Sequence, residues 1–150
     1  MSKPRFLTKT CKVGKPFQMK STREFIYPIA YRAAQVDSLQ SVTPVTPTAF
    51  AKKEIGYVAN ITATRRGHYI VLQGEIIYTT FLGFTKITDD FARPIVDAKG
   101  NTITANTVEM PRFASYTSAV FIVLKPGQNG YMEMSHQKKA RARWLVKAAN

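Results

Sequence analysis

Apolar and polar side chains alternate with a period of two along most of this chain, and sustained apolar spacing at i, i+3 and i+4 is hard to find. A period of two places successive side chains on opposite faces of an extended backbone, so the pattern predicts a mainly β protein. Arg5–Val13 and Phe17–Tyr27 read as two strands around Gly14-Lys15-Pro16, a break short enough for a hairpin turn, with Pro28 closing the second strand. Ile55–Thr64 sets Ile55, Tyr57, Ala59, Ile61 and Ala63 against Gly56, Val58, Asn60, Thr62 and Thr64, which is the pattern of a half-buried strand. Arg65-Arg66-Gly67-His68 then turns the chain into a long strand from Tyr69 to Phe84. Gly74 and Gly83 mark bends or bulges on it, and large apolar residues on both of its faces predict cover on both sides.

The segment Ile29–Thr48 breaks the pattern. It contains Ala33-Ala34, Asp37-Ser38 and Val42-Thr43-Pro44-Val45-Thr46-Pro47, and proline supplies no N–H to a ladder, so a long proline-rich loop is expected, with one helical turn available to residues 30–35. Loops of that length inside a compact domain tend to be functional. Further on, a short hairpin over Ile95–Ile103 turns on Ala98-Lys99-Gly100-Asn101, and Pro111 stops the chain before a strand at Arg112–Lys125. Residues 126–130 turn that strand back into Tyr131–Ser135 as another hairpin. Residues 140–148 admit a helix or a strand. The strand is favoured, because it sets Ala140, Ala142, Trp144, Val146 and Ala148 against Arg141, Arg143 and Lys147. The expected fold is a single domain of antiparallel hairpins forming a sandwich or partial barrel.

Length and composition narrow this picture only a little. A chain of 150 residues buries roughly 68–70% of its unfolded surface and needs no staples. The single cysteine, Cys11, rules out an intrachain disulfide and a cysteine-built metal site. No window approaches a membrane-spanning helix, and Met1-Ser2-Lys3-Pro4-Arg5-Phe6 lacks the apolar core of a signal peptide, so no export signal is expected in this chain.

Charge changes the picture more. The formal net charge is +13, and residues 1–32 hold eight basic side chains to one acidic, whereas residues 33–136 hold nine to eight and residues 137–150 five to none. The excess is terminal. If the two ends adjoin, Lys9, Lys12, Lys15, Lys138, Lys139, Arg141, Arg143 and Lys147 make one anion-binding face, suited to an anionic polymer or lipid head groups. Nucleic acid is the less favoured anion, since no zinc finger, RNP-like aromatic motif or GXXG loop accompanies the charge.

Catalytic chemistry finds no foothold. Asp89-Asp90 reads as a solvated turn beside Lys86 and Arg93, not as an acid–base dyad. His68 and His136 lack metal-ligand spacing, and Cys11 has lysines nearby but no local histidine to act as its base. Nucleophile-elbow, phosphate-loop and dinucleotide fingerprints are all missing. No enzyme, metal or cofactor is expected.

Several segments, in order, resemble the C-terminal domain of the secretins, the ring-forming outer-membrane channels of type II secretion and type IV pilus systems. Residues 4–15, PRFLTKTCKVGK, resemble the family's PRV-T-x-x-G strand and turn, and Arg23-Glu24-Phe25-Ile26-Tyr27-Pro28 resembles a segment that follows it. Residues 46–56 resemble the lead-in that ends in glycine before the next strand, and His68–Phe84 resembles, loosely, the long strand after it. Met110-Pro111-Arg112-Phe113 is similar to the family's P-x-F, Gly127-Gln128 to its G-Q, and Arg143–Ala148 to its final strand. The chain departs from the family at Thr64-Arg65, where proline is usual, and at residues 129–133, where T-V-x-L-G-G is usual; the connection to the last strand is shorter and the periplasmic N-domains are missing.

The resemblance implies a non-enzymatic domain of the periplasm or outer membrane. It would act in assembly or passage of an export or pilus machine, as a homo-oligomer or with other envelope-machinery proteins. Pro28, Tyr31, Pro44 and Pro47 would then stand in a gate or partner loop. Two alternatives remain at this point: a small soluble basic β protein that binds an anionic polymer such as nucleic acid or an acidic glycan, and a monomeric structural or adhesion module.

Overall fold

A computed structural model of the chain describes residues 10–39, 41–87, 93–136 and 140–148. The elements are β1 (Pro16–Arg32), β2 (Gln35–Val36), β3 (Val42–Thr43), β4 (Thr46–Arg66), β5 (Tyr69–Ile87), β6 (Ile95–Val96), β7 (Thr102–Thr104), β8 (Val108–Leu124), β9 (Asn129–His136) and β10 (Ala140–Lys147). The described residues contain no helix. Four long strands form one sheet in the order β1-β4-β5-β8, and three two-stranded sheets pair β9 with β10, β2 with β3 and β6 with β7. The fold is mainly β, antiparallel and sandwich-like, and the described residues form no closed barrel. The chain divides into two compact units.

The first unit comprises Met1–Arg23, Ile55–Thr79 and Ser115–Asn150. Here β4 and β5 pair from Gly56↔Thr79 to Arg66↔Tyr69 around a two-residue turn. Their odd and even positions separate as an amphipathic strand must. Ala59, Ile61 and Ala63 of β4, Leu72 and Ile76 of β5, and Val120 and Leu124 of β8 are buried in one cluster with Met19 of β1. The β9–β10 hairpin supplies the other layer through Met132, Met134 and Trp144. Ile61, Ile76 and Met132 are the largest fully buried side chains, each contributing about 1.5–3 kcal/mol through the surface it removes from water. The opposite face of the sheet mixes apolar residues such as Phe121 and Val123 with a polar row, in which Gln18 Nε2 donates to Asn60 Oδ1 at 2.7 Å and Asn60 Nδ2 to Glu75 Oε1 at 3.4 Å. On β5, opposite Ile61, glycine is required at position 74. Its φ is +157°, and a Cβ at that position would collide with the Asn60 carbonyl oxygen.

The second unit comprises Glu24–Glu54 and Thr80–Ala114. Two small hairpins in it turn on aspartates used in the same way. Asp37 Oδ1 accepts the amides of Leu39 and Ser41, and Asp97 Oδ1 accepts those of Lys99 and Asn101 at 2.8 Å each. The hydrogen bonds from Asn101 hold the Asp97 carboxyl below its ordinary range. Asn106, buried and at φ 43°, bonds to both Ala34 and Arg93. Tyr31 Oη donates to the Glu109 carbonyl at 3.0 Å.

Several sequence expectations change. Pro28 and Pro111 do not end strands; β1 and β8 run through them, because both are outermost strands of the sheet, where a missing N–H need not break a ladder. The expected loop over residues 29–48 is shorter: its ends belong to β1 and β4, and its middle holds the β2–β3 pair. The helical turn at residues 30–35 is replaced by strand and by the two-residue link Ala33-Ala34, with Tyr31 fixed by its bond to Glu109. β9 does not form a hairpin with β8, since its ladder is with β10, from Ala140↔His136 to Lys147↔Asn129. That same ladder gives residues 140–147 as a strand, with Trp144 buried and Arg143, Leu145 and Lys147 exposed. Gly14 makes a turn whose amide donates to Ala63 of β4, so β1 begins beside β4. Of the strand expected at Arg5–Val13, residues 5–9 lie outside the described residues and residues 10–13 are not strand.

Candidate functional site

No ligand-binding constellation rises from the described residues. No group of three or more His, Cys, Asp or Glu among them is placed to hold a metal ion. His68 is exposed at the β4–β5 turn and Cys11 is half-buried; Asp89 and Asp90 lie outside the described residues. The features with chemical consequence are surfaces: two strand edges, an aromatic cluster and a set of cations.

The edges are β1 and β8, each 17 residues long and each at one end of the four-stranded order. Among the described residues no further strand pairs with the outer side of either. Such an edge presents backbone donors and acceptors to whatever lies beside it, apart from the Glu109 carbonyl of β8, which accepts from Tyr31 Oη. Polar and apolar side chains flank them, and one stretch is aromatic. In the second unit Phe25 of β1 stacks on Phe81 of β5 with centroids 4.8 Å apart and meets Phe113 of β8 edge-on at 5.6 Å. Tyr27 and Phe84 extend the cluster. Ile26, Leu82 and Phe84 remain at least half exposed, at 60%, 50% and 54%. Pro28 and Tyr31 of β1 are half-buried, Pro47 is exposed in β4, and Pro44 is exposed in the link before it, so the four expected gate residues belong to this unit and not to one free loop.

The expected cations divide. Lys9, Lys138 and Lys139 lie outside the described residues, as does the side chain of Arg141. Arg143 is committed within the fold: its Nη2 donates to Glu133 Oε2 at 2.9 Å and its guanidinium lies 5.5 Å over the Tyr131 ring. Lys12, Lys15 and Lys147 are exposed in the first unit. The fold sets three cations beside them that sequence reading treated only as turn and strand-end residues. Gly14 N donates to Ala63 O at 2.7 Å, which brings the Lys12–Lys15 turn to the end of β4, beside Arg65 and Arg66. Gly127 N donates to Ala148 O at 2.7 Å, which brings the Lys125 turn to Lys147. Thr79 Oγ1 lies 3.0 Å from Ser115 Oγ, and because β8 runs antiparallel beside β5, the end of β8 before Lys125 lies at the same end of the sheet as Tyr69 and the β4–β5 turn. The sequence signal was available: each of these turns pairs a glycine with one or two cations.

Charge follows the units. Among the described residues the first unit holds ten Lys and Arg against two acids, Glu75 and Glu133, and the second holds seven against five. The excess assigned from sequence to the chain termini is thus, in space, a property of one unit. Comparison of the chain with family models, with curated proteins and with solved structures finds no significant match.

Proposed function

We propose that this chain is a non-enzymatic, secretin-like subunit of the bacterial cell envelope that assembles edge to edge with copies of itself, in the assembly or passage of a protein-export or pilus machine. The observation that carries the reading is the open sheet. β1 and β8 are long and outermost, and in the order β1-β4-β5-β8 they run in opposite directions. Joining β8 of one copy to β1 of the next therefore continues the same antiparallel pattern. Such a head-to-tail contact is heterologous, so it repeats until the rotation closes a ring. The ordered sequence similarity to secretin C-terminal domains supports the same reading.

Proline substitution tests it. Successive N–H groups of a strand alternate between its two sides, so of Thr117→Pro and Ser118→Pro in β8 one removes a donor from the outer side and the other breaks a bond to β5. The first should abolish self-assembly with the melting temperature nearly kept, and the second should destabilise the subunit. Assembly that survives both substitutions contradicts edge pairing.

A further inference from the structure

We infer that the turn-bearing end of the first unit is a docking surface for an anionic lipid bilayer. Two bonded pairs of segments lie at that end of the sheet: the Lys12–Lys15 turn with the end of β4 that carries Arg65 and Arg66, and the Lys125 turn with the end of β10 that carries Lys147. All six cations are exposed, and residues 10–16, 62–69, 124–129 and 145–148 contain no acid. Nothing of opposite sign in these segments competes for a phosphate.

The company these cations keep selects the anion. Val13 stands between Lys12 and Lys15 at 47% exposure, and Tyr69 follows the two arginines at 45%. A bilayer takes both kinds of side chain at once: cations sit at the lipid phosphates, while a valine and an amphipathic tyrosine enter the head-group boundary. Nucleic acid offers valine nothing. Single strands are held by several stacked aromatic rings, and these segments expose one. The turns are also held rigidly, so little ordering is needed on contact. Lys15 N donates to Lys12 O, and Gln128 both donates its amide to Lys125 O and accepts the Lys125 amide on Oε1 at 2.9 Å.

This surface goes beyond edge pairing and does not depend on it. The test is sedimentation of the full chain with mixed phosphatidylcholine–phosphatidylglycerol vesicles against pure phosphatidylcholine vesicles. Binding to the mixed vesicles alone, weakening with salt, is expected. Removal of one such cation weakens binding about fivefold, so Arg65→Gln with Arg66→Gln should lose on the order of twenty-fold. Lys86→Gln with Lys99→Gln, which removes equal charge from the second unit, should change binding little. Equal losses from both pairs would show a net-charge effect and overturn the surface. In a separate variant, Tyr69→Trp should shift its emission to the blue on mixed vesicles, above the constant signal of buried Trp144. No shift while the chain is bound overturns boundary insertion. Binding to a single-stranded oligonucleotide that Arg65→Gln with Arg66→Gln abolishes, without vesicle binding, overturns the lipid assignment in favour of nucleic acid. None of these readouts reports subunit mass, so a failure here is distinct from a failure of edge assembly.

Discussion

Asn106 and Ala34, 72 positions apart, meet through one buried hydrogen bond, in which Asn106 Oδ1 accepts the Ala34 amide at 3.2 Å. The same side chain donates through Nδ2 to the Arg93 carbonyl, also at 3.2 Å. One short amide thereby ties the link before β2, the approach to β6 and the start of β8. Its φ of 43° is tolerated because asparagine visits the left-handed region more readily than most residues.

Asn106→Ala should therefore cost about 1–3 kcal/mol, since it takes the acceptor from the buried Ala34 amide, removes the bond to the Arg93 carbonyl and keeps the backbone strain. Asn106→Gly relieves the strain but not the lost bonds, so it should fall between alanine and the parent. Urea unfolding of the three proteins measures the order, and a glycine variant as stable as the parent would assign the whole effect to φ.

Gly74→Ala should be worse than an ordinary glycine replacement. Its Cβ meets the Asn60 carbonyl, which the β4 ladder fixes, so the strands must part; Gly67→Ala at the open β4–β5 turn meets nothing and costs only its positive φ. A loss of about 3 kcal/mol or more at position 74, against about 1 kcal/mol at position 67, is expected from thermal melting.

Tyr57 carries a buried hydroxyl that finds no hydrogen-bond partner among the described residues, while its ring stacks on Tyr78 at 4.5 Å and meets Trp144 edge-on at 5.9 Å. Burial first, and the nearby Tyr78 second, push its phenol above the ordinary tyrosine value. The folded protein thus favours the neutral phenol. The stabilisation is complete below about pH 10 and is lost as pH rises through the raised value. Tyr57→Phe should be equal to or more stable than the parent by up to about 1 kcal/mol at neutral pH, and its alkaline unfolding should move to higher pH. A destabilised phenylalanine variant would mean that the hydroxyl is satisfied.

Arg143→Gln should lower stability by no more than about 1 kcal/mol, because its ion pair with Glu133 and its contact with Tyr131 are both exposed. Vesicle binding should not change. A large loss of binding would place Arg143 on the anion surface instead.

The hydrophobic pattern carried the interior further than the edges. The alternation at Ile55–Thr64 and Tyr69–Phe84 predicted β4 and β5, and Trp144 with Ala148 predicted the inner side of β10, because burial on one side of a strand imposes a period of two. Proline misled, since Pro28 and Pro111 break a strand only where both of its sides are paired, and pairing is a property of the sheet. The partner of β9 was hidden for the same reason: a tight turn after Lys125 suggests a hairpin, but packing of Met132, Met134 and Trp144 on the main sheet sends β9 to β10 instead. Arg65, Arg66 and Lys125 are unremarkable singly and become a surface only when hydrogen bonds from Gly14 and Gly127 gather their turns.

The most direct measurement is the mass of the full chain, by sedimentation or native mass spectrometry, in detergent and in plain buffer. Copies that complete one another's sheets should give a discrete particle of many subunits, lost when the outward-facing donor of β8 is removed. A 16.8 kDa monomer in every detergent and at every concentration would contradict the account.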